Sequence, residues 1–223
     1  MTDDVKPPRA YDASGRRDRA KATRAAVLDV AREMFIEHGY AKVSIAAVAK
    51  AAGVSPETIY KTIGAKPALL KAVSDVTIAG DDEPLTLEAR GHIQRAIADP
   101  DPVGKIQHYA NLIAATQPRY APISQLARQA AQTDPDAAEI WAAMNAERLT
   151  GASRMIQHFH ENGLLRNDIT VEQAADLVWT YNSVELYELL VLARGWHIDA
   201  YRDFIHQALV AALLAERHDY HKR

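Results

Sequence analysis

The stretch from Ser44 to Ile63, SIAAVAKAAGVSPETIYKTI, holds the residues of this chain whose types and spacing are best suited to chemistry. Ser44, at the start of a helix, offers a hydroxyl and free backbone N–H groups, which suit a phosphate. Gly53 makes a tight turn, Ala49 four residues earlier is small enough for two helices to approach closely, and Val54 and Ile59 are apolar anchors beneath the second helix. Ser55 is a second cap, followed by Pro56 at the first helical position, where a missing N–H costs nothing. Cap, small residue, turn glycine and second cap in this register spell a helix-turn-helix, whose second helix normally enters the DNA major groove. A generic helical hairpin is the plainer alternative.

Other chemistries find little support. The chain has no cysteine, which excludes disulfide scaffolds, thiol nucleophiles and Cys-based zinc sites. There is no GxSxG, Walker loop, GxGxxG or paired-carboxylate motif, so no enzyme and no cofactor are expected. Of the nine histidines, His158 and His160 are two apart and fall on different faces of a helix, and His218 and His221 sit in the last turn of chain. No metal-ligand spacing such as HExxH appears, and no metal site is expected.

The elements that must position the motif follow from the punctuation. Residues 18–38 place Val27, Leu28, Ala31, Met34 and Phe35 on one stripe, and Gly39 ends that helix. Ile45, Val48, Ala49 and Ala52 line the helix after Ser44, and a fourth helix opens near Lys66 with Leu69, Leu70 and Val73 inward. Further helices are predicted over 86–98, 102–116, 122–132, 135–162, 170–194 and 198–216, with Asp101 and Asp134 as caps. No proline follows Pro135, and the 88 residues after it are rich in Ala, Leu and Glu. Nowhere does sustained alternation argue for strands, so the chain reads as all-α.

Bulk properties agree with a folded protein. At 223 residues with 48% hydrophobic and 25% charged residues, the chain can bury a real core. No apolar run suits a membrane span, and the first residues lack the apolar stretch of a secretion signal, so a cytoplasmic protein is expected. The net charge of −3 hides an asymmetry: residues 1–71 carry 13 Lys and Arg against 8 Asp and Glu, or +5, and residues 72–223 carry −8. A basic front on an acidic body suits one end meeting a polyanion, or else is chance clustering.

Over residues 20–71 the sequence resembles the tetracycline-repressor (TetR) family of bacterial regulators. The resemblance rests on AAVLDVAREMFIEHGY, Ser44, the IAAVAKAAGVS core, Thr58, Tyr60, and Lys66 with Leu69 and Leu70. Ile63 stands where the family usually has an aromatic residue, and it still fills an apolar slot. Residues 177–196, LVWTYNSVELYELLVLARGW, look like one actinobacterial-type branch. The resemblance implies that Ser44, Thr58, Tyr60, Lys61 and Lys66 hold the DNA backbone and that Pro56, Glu57 and Thr62 face base edges. A glutamate there accepts from a cytosine amine or repels wrong sites, and Tyr60 is alternatively a packing residue with an exposed hydroxyl.

The implied organisation is a basic arm over 1–17 with Arg9, Arg16 and Arg17, a helix-turn-helix domain over 18–66, a helical body over 67–216 and a tail over 217–223. The arm, continued by Arg19, tracks the minor groove or is a solvated tail. The body is expected to form a homodimer through 170–194 and 198–216, the latter by Tyr201, Ile205, Leu209, Ala212 and Leu213, and to bind a small-molecule effector. Tyr109, Trp141, Asn145, Tyr181, Asn182 and Glu185 are the expected lining, because polar groups within apolar stripes need partners. That mix favours a moderately hydrophobic, cationic or hydrogen-bonding molecule over a highly charged anion. Hydrogen bonding between the body's own helices explains the same residues without a ligand. The functional expectation is a DNA-binding repressor released by the effector; the alternatives are a constitutive or protein-responsive regulator and an all-α enzyme without a recognisable motif.

Overall fold

A computed structural model describes residues 13–83 and 89–215, apart from the side chains of Ala13, Ser14, Arg16 and His92. The described residues form helices joined by turns, with no strand among them. Residues 1–12 and the tail 217–223, with Arg9, His218 and His221, lie outside the described residues.

Four helices make the head: α1 (Ala13–His38), α2 (Ile45–Ala51), α3 (Pro56–Thr62) and α4 (Lys66–Ala79). The stripe anticipated on α1 is internal, with Val27, Leu28, Ala31 and Phe35 buried. They share one core with Val48 and Ala49 of α2, Ile59 of α3, and Leu69, Leu70 and Val73 of α4. α1 reaches back to Ala13, further than its apolar stripe, because exposed Arg and Lys in its first turns have good helix propensity and need no core.

The body comprises α5 (Gly91–Ala98), α6 (Pro102–Ala130), α7 (Pro135–Glu161), α8 (Val171–Tyr181), α9 (Val184–Tyr187) and α10 (Ile198–Leu213). α6 is its axis, packing against α1, α4, α5, α7, α9 and α10. Asp101 and Asp134 cap α6 and α7 as anticipated, accepting from the backbone N–H groups of Val103 and of Asp136 and Ala137.

Three body elements depart from the sequence reading. The helices expected over 102–116 and 122–132 are one, running through Pro118 and Pro122. Each proline removes a hydrogen bond and costs about 3 kcal/mol in a helix interior. Pro118 is exposed and Pro122 half-buried, while Gln117, Tyr120, Ala121, Ile123 and Ser124 are buried, and the packing of that inner face holds the helix through both breaks. The helix expected over 170–194 is divided instead. Asn182 ends α8, and Ser183 caps α9 by accepting from the N–H of Leu186 at 3.3 Å. Such side chains offer the backbone an alternative to an unbroken ladder. α9 then widens into a π-helix over Glu188–Ala193, closed by Gly195 at φ +70°. Finally, of the helix expected over 86–98, residues 86–88 lie outside the described residues, 89–90 form a turn, and α5 begins at Gly91.

α10 carries a further correction. Tyr201, Ile205, Leu209 and Leu213, expected on a dimer surface, are each 0% exposed within the single chain. α10 packs on α6 and α8, so its apolar stripe is already spent on the body's own core.

Candidate nucleic-acid interface

α2 and α3 form the helix-turn-helix by the local chemistry read from the sequence. The Ser44 hydroxyl accepts from the N–H of Ala47 at 3.1 Å, and the Ser55 hydroxyl from that of Thr58 at 3.2 Å. Gly53 takes φ +68°, a left-handed conformation that side-chain-bearing residues disfavour, and Val54 N–H closes the turn onto Ala49 O at 2.9 Å. Ala49 is fully buried, as close helix approach demands.

α3 has one inward and one outward face. Ile59 is 0% exposed and pins the helix to the head's core, while Tyr60 is 56% exposed. Pro56, Glu57, Lys61 and Thr62 are exposed with it. Thr58 is half-buried, its hydroxyl 3.0 Å from that of Ser55, and Thr62 donates its hydroxyl to Thr58 O at 2.7 Å. Exposure takes Tyr60 out of the packing role that was its alternative. Ser44 is exposed at the start of α2, and its O–H remains available as a donor after the capping bond. The ring of Phe35 stacks on Tyr40 below, at 5.9 Å between centroids.

Lys66 opens α4 and is more constrained than the other cations. Its ammonium lies 4.1 Å from the centroid of the Tyr40 ring and donates to Ala41 O at 3.4 Å. Burial lowers its affinity for the proton, and the nearby Asp134 carboxylate opposes that effect. Tyr40 in turn donates its hydroxyl to Asp134 at 3.0 Å. Burial, then this bond, pushes the Tyr40 phenol well above its ordinary range, while the N–H of Ala137 and Tyr40 hold Asp134 below the usual carboxylate range. The cap of a body helix thus reaches the cation that opens α4.

Sequence reasoning missed the struts behind this face. Arg24 of α1 donates to Thr62 O at the end of α3 at 3.1 Å and pairs with Asp82 at 3.0 Å. Arg119 of α6 donates to Thr77 O and Ile78 O at the end of α4, at 2.8 and 3.3 Å. Lys71 of α4 bridges Asp75 at 2.7 Å and Glu147 of α7 at 2.9 Å. Most of these bonds join residues far apart in the chain, so no local pattern announces them. Arg17 and Arg19 sit exposed in the first turns of α1, and Arg19 donates to Gly15 O at 2.9 Å.

In the body, the expected effector lining is brought together only in part. Trp141, Asn145 and Glu185 border an open groove of ≈ 510 Å³ with Arg148, Trp179, Thr180 and Ser183. Tyr109 and Asn182 hydrogen-bond each other through their side chains, and burial raises the Tyr109 phenol. Asn182 O also accepts from Gln117 at 3.2 Å. Tyr181 goes elsewhere, edge-on to Phe204 at 6.3 Å. No described helix is long and apolar enough to cross a membrane.

Comparison with known proteins places this architecture. Residues 27–73 match the family described as bacterial regulatory proteins, tetR family. The HTH-type transcriptional regulator UidR of Escherichia coli K12 is 39% identical over 54 residues, which are 24% of this chain and 28% of UidR. The chain therefore aligns with just over a quarter of that relative's length. Solved structures extend the likeness to the whole fold. A TetR-family transcriptional regulator of Syntrophomonas wolfei superposes with a TM-score of 0.69 at 18% identity, covering 88% of this chain and 98% of its own. NalD, the secondary repressor of the MexAB-OprM multidrug efflux pump in Pseudomonas aeruginosa, gives 0.62 at 17% identity, covering 89% and 99%.

Proposed function

We propose that this chain, which belongs to the tetR family of bacterial regulatory proteins, binds double-stranded DNA at a palindromic operator and acts as a repressor. One observation carries the reading: α3 is anchored by the fully buried Ile59 while Pro56, Glu57, Tyr60, Lys61 and Thr62 stand together in solvent. An exposed face of one carboxylate, one ammonium and two hydroxyls on a short, capped, rigidly backed helix suits a major groove. In this reading Ser44, Thr58, Tyr60, Lys61 and Lys66 hold phosphates, and Pro56, Glu57 and Thr62 face bases. Selection from randomised duplexes tests it: a palindromic site should emerge, and salt-insensitive or absent binding would overturn the reading.

One short helix reads only a few base pairs, so two heads on a two-fold axis are needed. With the α10 stripe internal, the apolar surface left on this part of the body is the π-helical turn and its exit: Leu189, Leu192 and Trp196 are 61%, 57% and 38% exposed. A homodimer through that turn and the outer face of α10 covers them. Sedimentation should give twice the 24.6 kDa of one chain, and Leu189→Glu should return it to a single chain that stays folded.

Release by a small effector is the regulatory half of the proposal. The heads must sit about 34–36 Å apart, or a multiple, to read both half-sites. Arg119 and Lys71 tie α4 to α6 and α7, so a body rearrangement moves the element that opens with Lys66. A ligand preferring the spread state by about 3 kcal/mol lowers DNA affinity by roughly two orders of magnitude.

A further inference from the structure

We propose that the groove between α7 and the α8–α9 junction takes a flat aromatic molecule bearing a single carboxylate, with Arg148 holding the carboxylate and Trp141 covering the ring. The proposal rests on the effector reading above and names the chemical class of the ligand at that site.

The ion pairing of the groove decides the sign of its ligand. Glu185 is the one carboxylate among its lining residues, and it is engaged: Arg128 donates one arm to it at 2.9 Å and the other to Glu188 at 2.9–3.0 Å. The expected attraction for a cation is thereby met from within the protein. Arg148 is the opposite case. Its guanidinium lies 4.4 Å from the centroid of the Trp179 ring and donates to Trp179 O and, at 3.2 Å, to Asn145. Both acceptors are neutral, and no carboxylate among the described residues lies within 4.0 Å of it.

Two bonds leave three of the five guanidinium N–H groups for a ligand, in a fork that matches a carboxylate. Burial disfavours the charged form of Arg148, and the Glu185 carboxylate opposes this from a distance. An anion in the groove supplies what that carboxylate does not, a contact ion pair. Trp179 and Asn145 hold the guanidinium in place, so little ordering is lost on binding. Trp141, on the same face of α7 as Asn145 and Arg148, is half-buried and borders the groove, a flat wall for an aromatic ring.

The test uses the full chain and three probes that share one ring: 2-naphthoate, 2-naphthamide and 2-naphthamidinium. Calorimetry should rank naphthoate at least about tenfold tighter than the amide, with the amidinium weakest. Arg148→Gln should erase the advantage of naphthoate and leave the amide within about twofold, while Arg148→Lys retains part of it. On the unaltered protein, naphthoate should shift the indole N–H resonances of Trp141 and Trp179 and spare that of Trp196, which reads the site even if a variant fails to fold. An amide or amidinium that binds as tightly, a naphthoate preference that survives Arg148→Gln, or a shift confined to Trp196 overturns the proposal. Naphthoate that binds as described without releasing operator DNA upholds this site and fells the effector reading. Release of DNA by compounds that leave both indoles unmoved does the reverse.

Discussion

The head and the body of this protein are built from the same helices and capped by the same residue types, yet they use their polar groups in opposite ways. In α2 and α3, hydroxyls and ammonium groups lie within a few residues of one another and point to solvent around a single buried anchor, Ile59. In the body, Arg148, Trp179 and Glu185 meet across three helices, and Arg128 settles which of their charges remains unmet. A surface made for a long, regular polyanion can be written locally. A site made for one small molecule has to be enclosed from several sides, so it is written across the chain.

The contrast breaks most visibly through buried anchors at the two ends of the one core. Ile59→Asp buries a carboxylate under α3 and should cost more than about 3 kcal/mol, abolishing DNA binding while far-ultraviolet circular dichroism retains the helices of the body. Leu209→Glu should cost the body at least as much. Its urea midpoint should be low at every protein concentration, because the α10 stripe is internal. A loss that disappears at high concentration would instead return that stripe to a dimer interface.

Next in size, Pro118→Ala should stabilise the body by about 1 kcal/mol or more, by restoring a donor toward Ala114 O in a helix that already runs unbroken through this position. Thermal unfolding checks it, and a lower melting temperature would show that the ring itself packs. The head offers a smaller, cleaner effect. Lys61→Ala should reduce the salt dependence of DNA binding by about one unit of slope, the share of a single neutralised phosphate, equally on all sequences. Glu57→Gln should leave that slope alone and change the preferred site.

The smallest effect joins the two regions. Tyr40→Phe removes the hydroxyl that helps hold Asp134 below the usual carboxylate range. A depressed carboxylate stabilises the fold above its unfolded value of 3.8 and loses that contribution as pH falls through its folded value. Melting curves of the variant and the original protein should therefore differ near neutrality and converge in acid. A constant difference down to strong acid would assign the loss to packing.

How much was legible follows the same division. Ser44, Ser55, Gly53, Ala49 and Ile59 act within one or two turns of themselves, so their order along the chain already dictates caps, turn and buried face. The prolines of α6 and the Asn182–Ser183 pair were legible only as local tendencies. Packing overrode the first, where Gln117, Tyr120 and Ile123 are buried beside Pro118 and Pro122, and capping prevailed at the second.

By itself the sequence determined the all-α class, the helix-turn-helix and the outward set Pro56, Glu57, Tyr60, Lys61 and Thr62, because helical period and capping are short-range properties. Tertiary structure alone decided that α10 turns its leucines inward, that Lys66 sits on Tyr40 beneath a body cap, that Tyr181 leaves the groove for Phe204, and that the guanidinium of Arg148 is held by the neutral acceptors Trp179 O and Asn145. Those outcomes depend on which helix faces which. That is set by the shapes of buried side chains drawn from the whole chain, not by any run of neighbours.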